Sequence, residues 1–60
     1  MPIITIAARA LPLERKRELV QQVTSVVQAA YELPAETITV LINEYPSENI
    51  GVAGQLLIDR

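Results

Sequence analysis

The chain contains neither histidine nor cysteine. That excludes imidazole bases, thiolate nucleophiles, disulfides and nearly every zinc site, and no metal or cofactor is expected. The groups left that could move a proton are the carboxylates, Lys16, Tyr31, Tyr45 and the chain terminus. Pro2 stands out by its place. Initiator methionine is normally trimmed when the next residue is small, and proline qualifies. Loss of Met1 would turn the Pro2 nitrogen from an amide into a secondary amine. Desolvation and cationic neighbours both lower an amine's pKa, and an amine brought near the working pH is an efficient general base. A secondary amine can also form an iminium with a carbonyl. With Met1 retained, the same nitrogen is an amide and has no basicity.

Such an amine must be held by regular structure. Ile3 to Ala8 is a short apolar run in which both alternating faces are apolar, Ile3, Thr5 and Ala7 on one and Ile4, Ile6 and Ala8 on the other. That pattern suits a strand buried on both sides. Arg9 to Leu13 reads as a connection, with Pro12 in the first turn of a helix, where its missing N–H costs nothing. Glu14 favours the positive helix end. Leu19, Val20, Val23, Val26, Val27, Ala30 and Tyr31 recur at steps of three and four, which predicts a helix from Leu13 to about Tyr31, ended by Pro34.

Thr37 to Glu44 is rich in β-branched residues and predicts a second strand. Strand, long helix, strand reads as one right-handed βαβ unit with parallel strands. Pro46 to Asn49 is turn-rich, and Gly51 to Ile58 reads as a short hairpin or arm. The fold class is α+β, as a single domain over residues 1–60.

Size and composition point to self-association. A domain of about 60 residues buries only ~60% of the surface its unfolded chain exposes, and with disulfides and metals excluded, association is the remaining source of stability. Half of the residues are apolar, almost all of them aliphatic. One helix covers one face of a two-stranded sheet, so the other face needs a partner. No apolar run approaches the ~20 residues that span a bilayer, and the start lacks a basic n-region; a cytoplasmic protein with no membrane partner is expected. The formal net charge is -2, with no basic cluster beyond Arg15, Lys16 and Arg17, so nucleic acid is not an expected partner.

Several segments together resemble the 4-oxalocrotonate tautomerase family of the tautomerase superfamily. They are Met1-Pro2-Ile3, the helix start Leu13 to Val20, Pro34, the strand Ile38 to Glu44 and the closing Asn49 to Gln55. They cover nearly the whole chain in family order. The resemblance implies dimers with a four-stranded sheet, assembled by threes into a homohexamer with the helices outside. It implies an isomerase in which the N-terminal proline, Pro2 here, takes a proton from an enol oxygen of a dienol or keto acid and returns it to carbon. Arginines, partly from neighbouring subunits, hold the substrate carboxylates.

Compared with that family, Leu11 stands where the loop arginine belongs, Thr39 replaces a strand arginine, and Ile50 replaces an aromatic residue before the hairpin glycine. Leu and Thr do not replace a bidentate arginine contact. Arg9 lies at the place of a substrate-binding arginine in the α chains of trans-3-chloroacrylic acid dehalogenase, and the chain is also similar to the β chains of that enzyme. The expected site is therefore Pro2 as base, with Arg9, Leu11, Thr39 and Ile50 around a small carboxylate substrate. The basic triplet Arg15, Lys16 and Arg17 reads as a solvated helix face, Asn43 and Glu44 as structural residues, and Tyr45 as packing at a subunit contact. Two further readings stay open: a proline-supplying β-like subunit of a hetero-oligomeric hydratase or dehalogenase, and a non-catalytic family member.

Overall fold

The computed structural model describes residues 1–60. The chain runs β1 (Ile3–Ala8), α1 (Leu13–Tyr31), a 3₁₀ turn (Ala35–Thr37), β2 (Thr39–Glu44), a 3₁₀ turn (Ser47–Asn49), β3 (Gly51–Val52), β4 (Gln55–Leu56) and a last 3₁₀ turn (Leu57–Asp59). β1 and β2 are parallel neighbours with Ile3 opposite Thr39 and Ala8 opposite Glu44. β3 and β4 form a separate antiparallel pair. The βαβ unit and the C-terminal hairpin are thus as expected.

Burial follows the alternation of the strands. Ile4, Ile6, Val40 and Ile42 are half-buried, as are Leu19, Val20, Val23 and Val27 of α1. These side chains form the contact between helix and sheet. The opposite sheet face is open: Ile3 is 58% and Leu41 48% exposed. β1 is therefore covered on one side only within a protomer, not on both as its sequence suggests, because the one helix is spent on the other face. No residue at all is fully buried. The radius of gyration is 14.6 Å, against roughly 10 Å for a compact domain of this length. No helix is long and apolar enough to cross a membrane.

The helix spans Leu13–Tyr31 as its spacing predicts, while its end signals and the start of β2 differ from the sequence expectation. The helix ends at Tyr31, with Glu32 in the left-handed region at φ 53° donating its N–H to the Gln28 carbonyl. Pro34 comes later and opens the next 3₁₀ turn. Pro12 is the residue before the helix, not within its first turn. β2 starts at Thr39 because Thr37 is folded back into the proline-led turn, its hydroxyl donating to the Pro34 carbonyl at 2.8 Å. Local hydrogen bonding outweighs β-propensity there. The hairpin strands are only two residues each, turned by Ala53 at φ 55° and Gly54 at φ 81°. Positive φ at both central residues makes the turn of the primed kind that matches strand twist.

Candidate active site

Pro2 lies just ahead of β1 and is half-buried. Its carbonyl accepts the Thr39 N–H at 3.0 Å, which extends the β1–β2 ladder by one bond and sets Thr39, half-buried itself, beside it. Met1 beyond it is 85% exposed. The Pro2 nitrogen is an amide while Met1 is attached, and trimming leaves a secondary amine at the mouth of the parallel ladder.

Arg9, Leu11 and Ile50 gather at the opposite end. Arg9 follows the last residue of β1, and its Nη2 donates to Ser47 Oγ at 2.8 Å. The Ser47 carbonyl in turn accepts the Ile50 N–H at 3.5 Å, and the Ile50 carbonyl accepts from the Leu57 N–H at 2.8 Å. Leu11, 40% exposed, sits in the β1–α1 loop. The five expected site residues therefore fall into two groups, Pro2 with Thr39 and Arg9 with Leu11 and Ile50. Seven residue steps along an extended strand separate Pro2 from Arg9, roughly 23 Å at ~3.3 Å per step. No small acid spans that gap, so within one protomer the two groups of residues stay apart. A surface depression beside Leu11 is lined by Arg15, Glu18, Leu19 and Gln22 of α1.

Glu44 is the residue whose importance the sequence did not reveal. It ends β2, and its carboxylate accepts from two directions: Oε2 from the Leu11 N–H at 2.8 Å and Oε1 from Lys16 Nζ at 2.8 Å. The Lys16 and Glu44 side chains are 29% and 27% exposed. The Lys16 hydrogen bond, followed by that of the Leu11 amide, holds the Glu44 carboxyl below its ordinary value of 4.5, against a smaller opposing effect of burial. Charge-assisted bonds of this kind favour the ionised form. Lys16 is consequently not part of a solvated face. Its neighbours are, since Arg15 pairs with Glu18 at 3.7 Å and Arg17 with Glu14 along the helix surface. The only signal for Glu44 was a lone acid closing an apolar strand, and its partner lies 28 residues away in sequence.

With this geometry in view, the relatives decide the family. The family model described as tautomerase enzyme matches residues 2–60. This chain belongs to the tautomerase family. Among solved structures, DmpI from Archaeoglobus fulgidus is 40% identical, with a TM-score of 0.89 over 97% of this chain and 100% of the other. YwhB, a homologue of 4-oxalocrotonate tautomerase, is 33% identical, with a TM-score of 0.91 over 98% of each chain. A 4-oxalocrotonate tautomerase isozyme from Methylibium petroleiphilum is 30% identical, with a TM-score of 0.89 over 97% of this chain and 92% of the other. Among curated proteins none matches. Membership of the tautomerase family supports a tautomerase-type isomerase function and accounts for the small βαβ fold with its C-terminal hairpin.

Proposed function

We propose that this tautomerase-family chain catalyses keto–enol proton transfer on a small 2-oxo or enol acid, with Pro2 as general base once Met1 is removed. The observation that carries the reading is that the family match begins at Pro2, the one residue whose place makes it a candidate amine in a chain without histidine or cysteine. The free amine takes the proton from the enol oxygen as the carbonyl forms. The double-bond electrons then collect the same proton from the prolinium at carbon, which leaves the amine as it began. The Arg9 guanidinium binds the substrate carboxylate. Leu11 and Ile50 give that end an apolar lining, and Thr39 lies next to the base. With one arginine in place of the usual set, a monocarboxylate suits the site better than a dicarboxylate.

The two groups of site residues meet only between copies. β1 has a free edge, since it pairs with β2 alone, and free edges present unpaired N–H and C=O groups to another strand. Antiparallel pairing of two β1 edges would set Pro2 of one copy beside Arg9 and Leu11 of the next, and would give a four-stranded sheet. Repetition of that dimer into a homohexamer would cover the open face that carries Ile3 and Leu41. The compartment proposed is the cytoplasm.

The test is ketonisation of a simple enolpyruvate by protein whose intact mass shows Met1 absent. Turnover well above buffer, lost on restoring Met1, is the expected result. A rate no better than buffer in the trimmed protein sinks the reading.

A further inference from the structure

We infer that Glu44 is a positioning residue for substrate binding: through its two carboxylate oxygens it fixes the β1–α1 loop that presents Arg9 and Leu11. This rests on the proposed role of Arg9 as the carboxylate ligand.

The loop from Arg9 to Pro12 belongs to neither helix nor strand, and a free loop of that kind would sample many shapes. Here it is pinned at Arg9 and Leu11, and on either side at Ala8 and Lys16, from the end of β2. The Ala8 carbonyl accepts the Tyr45 N–H at 2.9 Å. Arg9 donates to Ser47 Oγ at 2.8 Å. The Leu11 N–H donates to Glu44 Oε2 at 2.8 Å. The Lys16 ammonium, in the first turns of α1, reaches the other Glu44 oxygen at the same distance. Glu44, Tyr45 and Ser47, at the end of β2 and its exit, thus set the position of the approach to the helix. Glu44 is the one that joins loop and helix, because a carboxylate alone offers two acceptors at the required separation. It also neutralises Lys16, whereas Arg9 bonds the Ser47 hydroxyl and has no carboxylate partner. A binding group held in one orientation before substrate arrives loses less freedom on binding, and the benefit falls on affinity.

Glu44→Ala removes both bonds. Glu44→Gln keeps a carbonyl oxygen for the Leu11 N–H but turns an NH₂ toward Lys16. The experiment compares both with the parent protein, all lacking Met1, by steady-state kinetics on an enolpyruvate and by hydrogen exchange at the Leu11 amide. We expect E44A to raise KM about tenfold with kcat within about twofold, and E44Q to recover much of that loss. Leu11 exchange should quicken at least about tenfold in E44A and less in E44Q. An unchanged KM beside faster Leu11 exchange overturns the inference, as does a fall in kcat with KM constant. Should E44A fail to assemble, E44Q decides alone: a KM raised about threefold supports a positioning role, and an unchanged one removes it. If the parent protein shows no turnover that depends on Pro2, the proposed function falls. The positioning role is then read from pyruvate titrations followed at the Arg9 guanidinium by NMR, where weakening of about tenfold in E44A upholds it and equal affinity overturns it.

Discussion

The Pro2 carbonyl accepts the Thr39 N–H at 3.0 Å, so the residue proposed as the base is docked onto β2 through its backbone. Structure and chemistry at this position can therefore be separated. Pro2→Ala keeps the carbonyl and its bond to Thr39 but replaces the secondary amine. We predict that kcat falls about 10²-fold or more, the usual scale for a general base, while the thermal midpoint and the assembly are unchanged. Activity assays beside calorimetry check this. A Pro2→Ala protein as active as the parent would mean that the secondary amine is not the base.

Arg9 donates one guanidinium nitrogen to Ser47 and has its other donors available. Arg9→Ala should raise KM for a monocarboxylate about 10- to 100-fold, as expected for loss of a charge-assisted bond. Arg9→Lys should restore little, since an ammonium cannot meet Ser47 and a carboxylate with one planar fork. Initial-rate measurements at varied substrate concentration distinguish the two.

The Glu44 carboxyl is held below 4.5 by Lys16 and the Leu11 amide. A group whose folded pKa is depressed binds protons more readily when unfolded, so its stabilisation is complete above about 4.5 and drains away as pH falls through the folded value. The acid limb of the stability curve should therefore be shallower in Glu44→Gln than in the parent protein, with the difference confined to pH below about 5. Thermal melts across that range provide the comparison. Identical acid limbs would show that the pair is not formed in solution.

The open sheet face predicts its own disruption. Ile3 and Leu41 are largely exposed in a protomer and would be covered in an assembly. Leu41→Asp should shift the protein to smaller species in sedimentation velocity and abolish activity together with assembly, because burial of an unpaired carboxylate costs several kcal/mol. A fully assembled, active Leu41→Asp protein would place this face at the surface.

Two residues other than glycine hold positive φ, Glu32 at the end of α1 and Ala53 in the hairpin turn. Glycine bears that conformation without the clash of a Cβ, so Glu32→Gly and Ala53→Gly should each stabilise by about 0.5–1 kcal/mol. Ala53→Asn would give the Asn-Gly pair that such turns prefer. Denaturant midpoints are the measure, and a loss of stability in both glycine variants would contradict the backbone geometry.

Much of the fold was legible because its signals are periodic. The stripe from Leu19 to Tyr31 and the β-branched run to Glu44 encode a helix and a strand through spacing alone. Terminal boundaries were less legible, since they depend on single local bonds. Thr37 has the side chain of a strand residue, yet its hydroxyl closes a turn on Pro34. Of the candidate site, Pro2 was visible by its place in the chain and Arg9 by resemblance. Their separation was legible as well, since the predicted strand, Ile3 to Ala8, puts Pro2 before it and Arg9 after it. Glu44 reads as a structural residue and is one, but its partners, Leu11 and Lys16, are brought to it by the crossover, and nothing in the spacing of these residues announces the bonds.

A chain that hides no side chain completely would, in the proposed assembly, leave its folding to concentration. Where neighbours supply the core, the folded fraction climbs with the total amount of chain rather than staying fixed. Halving synthesis would then cost more than half of the working protein. The unassembled remainder would meet proteases as an open polypeptide, so the cellular lifetime of each copy would depend on how many others had been made.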